Sequence, residues 1–370
     1  MSKMRLNKIT LFIIFLVAAC LSLAESTFNL YIGTNYIADP TIKRFEQLCK
    51  CTLYQNYFND NGELLAKIAA GASGYDVMVP TSYAITDLIA MHKILPLDKS
   101  KIPNLKYVDK KFLNEPYDPG NKYSVPYAYN PVFLAYNVQK MKQLGINPNT
   151  WAVVFDPKYL VKLKGRITMF SSARNVFAVA LLYLGKNPNS TNVDDLKAAQ
   201  DLINRASPYW AKFDSDSYYR GLLRGDIWVS QSYSIDIFKA MLDAKNSHSK
   251  IQLGAQLQKE GNMYELDNLV IPSSTHHVDE AYAFINNALL PQSEYELSNL
   301  TGSSVPSQIA IDRLDKSISG LDWIYPHNMN KLQTFIAYPP KIRILTNEMW
   351  TEIQMQCHEI CSTCNYAQKN

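Results

Sequence analysis

Apolar and polar residues alternate where the chain first settles into a pattern: Phe28, Leu30 and Ile32 interleave with Asn29, Tyr31 and Gly33. A period of two predicts a strand. From about Pro40 the period lengthens, and Ile42, Phe45 and Leu48 fall on one helical stripe. Leu53 and Tyr54 begin a second strand. Leu64, Leu65 and Ile68 then mark a helix ended by Gly71 and Gly74. Tyr75-Asp76-Val77-Met78-Val79-Pro80 reads as a short buried strand, and Thr81-Ser82 can cap the helix that follows. Strand, helix, strand, helix, strand is the pattern of a doubly wound α/β unit.

A second helix-rich α/β pattern occupies roughly residues 151–264, with apolar helices at Val176 to Tyr183, Val193 to Ala206 and Ile235 to Ala244. Leu266 to Pro272 is again an apolar strand, leading into a helix over Val278 to Leu290. The chain has no internal repeat, low-complexity segment or long Gly/Ser linker. Two lobes without a loose linker imply that the chain crosses between them on strands, which permits closure over a ligand. In such sheets ligands settle outside the carboxyl ends of the strands. That places Gly33 to Tyr36 and Thr81 to Tyr83 on one rim.

The chain start changes the compartment. Lys3, Arg5 and Lys8 precede an apolar run from Ile9 to Leu23, followed by small residues. This is the layout of a signal peptide, and it is short for a spanning helix, which needs about 20 apolar residues. Two cuts compete. Ser22-Leu23-Ala24 suits an ordinary signal over 1–24, and Val17-Ala18-Ala19-Cys20 suits a lipoprotein signal over 1–19 with lipid on Cys20. Either removes three cations and no acid, so the formal net charge falls from +4 to about +1. No basic stripe remains to recruit nucleic acid. The remaining length suits two domains of ordinary size.

Among the other residues, 24 tyrosines against 14 Phe and 5 Trp favour surfaces that are half apolar and half wet. Five cysteines besides Cys20 invite pairing in an oxidising compartment: Cys49, Cys51, Cys357, Cys361 and Cys364. Metal ligation by the terminal group is the competing reading, and it needs Cys49 or Cys51 brought close to the Cys357-His358 end. Six histidines and no nucleophile-elbow or metallohydrolase string give an enzyme no foothold. His276-His277 reads as surface. Thr301-Gly302-Ser303-Ser304 lacks the lysine spacing of a phosphate loop.

Several strings, in this order, carry a family resemblance. They are Leu30-Tyr31 with Thr34-Asn35-Tyr36; Tyr75 through Tyr83; Tyr117-Asp118-Pro119 with Tyr123 through Tyr127; Ala173-Arg174-Asn175-Val176-Phe177; Gly225-Asp226-Ile227; and Asp267 through Pro272, followed by Ala281 to Leu290. Together they resemble the polyamine-binding periplasmic proteins, the spermidine/putrescine receptors of ABC importers. The resemblance implies a type II periplasmic-binding-protein fold, two α/β lobes joined by hinge strands around a ligand cleft. Lobe 1 would combine 26–131 with 270–314, and lobe 2 would combine 132–269 with 315–370. It implies a small organic cation as ligand, a membrane permease as partner, a monomer, and no cofactor or metal.

Such a ligand needs carboxylates for its ammonium groups and aromatic walls for its methylenes, with cation–π attraction of about 0.5–2 kcal/mol per contact. By resemblance the ligand-binding positions are Thr34, Tyr36, Thr81, Ser82, Tyr83, Tyr129, Ser172, Asn175, Tyr233, Glu265 and Asp267. Asp267 matches the principal amine-binding carboxylate. The sequence departs from the family at five positions. Gly33 stands where Trp is usual, Asn35 where an acid can occur, Ser172 and Asn175 where acids are common, and Glu265 where an aromatic is usual. Glu265 and Asp267 lie two apart on a strand and so face the same way. A polyamine or related cation is the expectation. A divergent binder of another ligand, or a sensing or adhesion protein that kept the fold, is the alternative.

Overall fold

A computed structural model describes residues 26–58 and 60–367, with side chains described through Gln356. The two candidate signal cuts and Cys20 therefore lie outside the described residues, as do the side chains of Cys357, Cys361 and Cys364.

The predicted first strand is β1 (Ser26–Ile32). It lies centrally in a parallel sheet between β2 (Cys51–Tyr57) and β3 (Val77–Met78). Because β1 is covered on both faces, Tyr31 is buried as completely as Leu30, and the alternation read from the sequence holds only at its start. On one face Phe28 packs against Phe45 of the helix Asp39–Cys49 and Phe284 of the helix Val278–Ala288, with ring centroids 4.7 and 5.4 Å away. On the other, Tyr31 stacks on Tyr75 at 4.3 Å. The late segment around Phe284 thus shares one core with the first strand.

The second sheet contains β4 (Val125–Asn137), β5 (Ile167–Met169), β6 (Lys212–Phe213), β7 (Val229–Tyr233), β8 (Leu253–Gln256), β9 (Asn262–Leu269) and β10 (Leu332–Thr334). Its core runs through the buried helices Ala173–Tyr183 and Val193–Ala206, and the long C-terminal helix Pro340–Ala367 packs beside the latter.

Strands β4 and β9 join the two bodies. They pair antiparallel from Val125↔Leu269 to Val132↔Met263. At one end β9 continues into lobe 1, where the Val270 and Met78 backbones exchange hydrogen bonds at 3.0 Å and the Asn268 amide donates to Pro80. At the other end β4 pairs with β7 and β8 in lobe 2. One strand therefore carries the chain out of lobe 1 and the other brings it back. A two-stranded ribbon of this kind bends with small dihedral changes and serves as a hinge.

Direct contacts also hold the lobes together. The Ser82 hydroxyl donates to the Phe335 carbonyl at 3.0 Å and accepts from the Thr334 hydroxyl at 3.2 Å. Arg343 pairs with Asp87 at 2.7 Å. Near the hinge, Gly302 sits against Phe238 so closely that a Cβ there would fall 2.4 Å from the ring, and its φ of +70° also favours glycine. The Thr301–Ser304 segment is a turn made for this approach.

Cys49 and Cys51 form a disulfide across the turn from helix to β2, where Lys50 takes a left-handed φ of 53°. This removes both from the metal-ligand set considered above. His277, read as a surface residue, is half-buried, and its Nδ1 lies 3.1 Å from the buried Asp76 carboxylate.

Candidate functional site

The site is built on β9 at the middle of the hinge. Pairing sets Ala128 opposite Asp267 and Asn130 opposite Glu265, so these four residues share one face of the ribbon. Tyr129 pairs with Leu266 and belongs to the other face. It is buried there against Phe112, ring centroids 4.6 Å apart, and edge-on to Tyr264. The expectation that Tyr129 lines the cleft is corrected by this register. Its neighbour Asn130, which sequence reasoning passed over, takes the inward position instead.

Asp267 is 7% exposed. Its Oδ2 accepts from the Tyr36 hydroxyl at 2.5 Å and from Asn130 Nδ2 at 3.3 Å. Asn130 also donates to Tyr36 Oη at 2.7 Å, while its own carbonyl accepts from the Ser234 hydroxyl at 3.2 Å. Tyr36 reaches the strand because the turn after β1 reverses at Asn35, whose φ of 58° suits an asparagine. The Tyr127 hydroxyl fixes that turn by donating to the Tyr36 carbonyl at 2.8 Å. Burial, with the nearby Glu265 adding to it, raises the Asp267 carboxyl to about 7; the Tyr36 and Asn130 donors pull it back down.

Glu265 turns toward lobe 2. Its Oε1 accepts from the Tyr233 hydroxyl at 2.8 Å and from Asn175 Nδ2 at 3.4 Å. Burial raises its pKa, and the two donors oppose the rise. Tyr233 stacks on Phe170 at 4.5 Å, forming a flat aromatic wall beside the carboxylate. Asn175 is placed by the start of its helix, where Ser172 caps the first turn. The Ser172 oxygen accepts there from the Asn175 amide and side chain, and Ser172 also faces the cavity between the lobes.

Neither carboxylate has a cationic partner among the described residues, where every ion pair lies elsewhere. Two acids desolvated this close together, supplied only with neutral donors, make a strongly cation-seeking place.

The remaining predicted residues divide. Tyr83 is half-buried near Glu265; burial and that carboxylate both raise its hydroxyl pKa. It also borders a cavity of about 220 Å³ between the lobes, lined by Ser172, Arg174, Tyr338 and Arg343. Thr81 pairs through its backbone with Asp267, and its amide donates to Asn61 at 3.0 Å. Ser82, expected to touch ligand, is fully buried and spends its hydroxyl on the lobe-to-lobe contact with Phe335 and Thr334. Thr34 is exposed on the turn before Tyr36. One acid was missed. Asp236, in the first turn of the helix Ser234–Asn246, accepts from the Tyr218 hydroxyl at 2.6 Å, and burial raises its pKa. Its signal was its place three residues after Tyr233.

Known proteins are similar to this chain in sequence and fold. A family model described as bacterial extracellular solute-binding protein matches residues 44–314. The putrescine/cadaverine-binding protein of Pseudomonas aeruginosa is 36% identical over 353 residues, covering 95% of this chain and 100% of that protein. Among solved structures, a putative spermidine/putrescine ABC transporter from Listeria monocytogenes superposes with a TM-score of 0.79 at 28% identity, covering 90% of this chain and 99% of that one. The Tp0655 (TpPotD) lipoprotein of Treponema pallidum gives a TM-score of 0.78 at 26% identity, covering 89% of this chain and 99% of that one.

Proposed function

The chain belongs to the bacterial extracellular solute-binding proteins, and from that membership we propose that it captures a polyamine-like organic cation between its lobes for delivery to an ABC-importer permease. The observation that carries the reading is the pair of the half-buried Glu265 and the buried Asp267, each held by neutral donors and neither paired with a cation among the described residues. An alkyl ammonium would supply the missing charge, and the Phe170–Tyr233 stack would cover its methylenes. Because Tyr36 comes from lobe 1 and Tyr233 from lobe 2, ligand favours the closed form. The names of the similar proteins, one for putrescine/cadaverine binding and one for spermidine/putrescine transport, support the same ligand class.

The protein works by binding and release without a chemical step, outside the cytoplasm. Its anchor is a lipid on Cys20, a reading supported by the Val17-Ala18-Ala19-Cys20 string and by the lipoprotein among its structural relatives. Cys20→Ala then moves the protein from the membrane to the soluble fraction; an unchanged distribution removes the anchor.

A thermal-shift screen of amines, quaternary ammonium compounds, amino acids and sugars tests the ligand class, since a ligand of the native form raises the melting temperature. Amines should give the largest shifts, and Asp267→Asn should abolish them. Shifts with sugars alone, or shifts that survive in Asp267→Asn, reject the proposal.

A further inference from the structure

Strand β9 hands its two inward carboxylates to different lobes. Asp267 is held by Tyr36 of lobe 1, and Glu265 by Tyr233 and Asn175 of lobe 2. Resting on the cation-binding reading above, we propose that Glu265 makes the cleft select ligands with two ammonium groups over ligands with one.

Each carboxylate uses one oxygen for its neutral donors, Oδ2 in Asp267 and Oε1 in Glu265; Oδ1 and Oε2 have no hydrogen-bond partner among the described residues. Asn175, only 4% exposed, likewise keeps an unpartnered Oδ1. The groove is therefore rich in acceptors. The titratable groups facing it are Tyr36 and Tyr127 from lobe 1, Tyr83 from the helix Ser82–Ala90, and Tyr233 from β7. Arg174, beyond Tyr83, is engaged with the Pro188 carbonyl and the rings of Phe335 and Tyr338, and pairs with neither acid.

A single ammonium neutralises one carboxylate. The other must then remain charged and unpaired in a desolvated place or take up a proton. Residues two apart on a strand stand about 6.6–6.8 Å apart, within reach of the two ends of a short alkyl diamine. A diamine satisfies both acids and expels the proton; a monoamine leaves it in place. An aromatic residue at this position would wall the cleft without reading the second charge.

Calorimetry with 1,4-diaminobutane and butylamine tests this on the native protein and on Glu265→Gln, which keeps an Oε1 acceptor for Tyr233. The native protein should prefer the diamine by at least about tenfold. In the variant the diamine should weaken by about tenfold or more while butylamine changes by less than about threefold. Native melting behaviour of the variant checks its fold. Independently of any variant, binding heats in buffers of different ionisation enthalpy should show more protons released by the diamine than by butylamine. Equal proton release overturns the inference, as does undiminished preference for the diamine in Glu265→Gln, which would put the second pole at another acid such as Asp236. If the native protein binds neither amine, the cation-binding reading fails and this inference falls with it. If it binds both and only the discrimination is unaltered, this inference alone fails.

Discussion

The Tyr36 hydroxyl donates to Asp267 Oδ2 at 2.5 Å, joining the first turn of lobe 1 to the strand that returns from lobe 2, 231 positions later. A phenol donating to a buried carboxylate favours its charged form. Removing the donor must therefore raise the carboxyl above its present value of about 7.

Tyr36→Phe should weaken diamine binding several-fold at pH 7, because more of Asp267 is then protonated. The loss should shrink by pH 9, where the carboxyl ionises even without the phenol. Calorimetric titrations at the two pH values check this; an equal loss at both would mean that the ring packs but does not tune the acid.

The ligand-free protein should lose stability between about pH 4 and pH 7. Asp267 titrates near 7 in the fold and near 3.9 in an unfolded chain, so over that window only the folded state keeps the proton. The contribution is fully present below about pH 4 and gone above about pH 7, a total of a few kcal/mol at about 1.4 per unit. Thermal melts at pH 5.5 and 8 should show the higher melting temperature at pH 5.5. Saturating diamine should stabilise more at pH 8, where the carboxylate is charged. A ligand shift that is larger at pH 5.5 contradicts the assignment.

Asn130→Ala should destabilise the protein by about 1–3 kcal/mol, since it strips a buried donor from Tyr36 and Asp267 and an acceptor from Ser234. Urea unfolding measures it. Asn130→Asp should do worse for stability at pH 8 than at pH 5.5, because it sets a third acid beside the pair.

Breaking the surface clasp should matter little. Arg343 and Asp87 have side chains 49% and 29% exposed, and such pairs contribute about 0–1 kcal/mol. Asp87→Ala should lower diamine affinity by less than about fivefold. A much larger loss would show that the closed form depends on this one contact.

The Cys49–Cys51 bridge should be nearly dispensable as well. It closes a loop with a sequence separation of only 2, and short loops hold little unfolded-state entropy to remove. Replacing both with Ser should shift the melting temperature by no more than about a few degrees.

Much of the fold was legible because its signals are local. The stripe Ile42, Phe45 and Leu48 predicts a helix that exists over Asp39–Cys49, and the Val278 start falls where expected. The long hinge strand β4 was less legible: it is buried almost throughout and carries Pro126 and Pro131, which usually mark the edge or end of a strand. Pro126 lies at a register shift, which is how the strand accommodates it.

The sequence by itself determined which residues alternate, where helices begin, and that Glu265 and Asp267 share a face, because these follow from backbone periods of 3.6 and 2. Only the tertiary structure decided that Asn130 faces inward and Tyr129 outward, since that depends on the pairing register of β4 with β9. It also decided that Ser82 joins the lobes while Tyr36 and Tyr233 serve one acid each. Such partners lie tens to hundreds of residues apart, and no local pattern encodes which hydroxyl a buried carboxylate will meet.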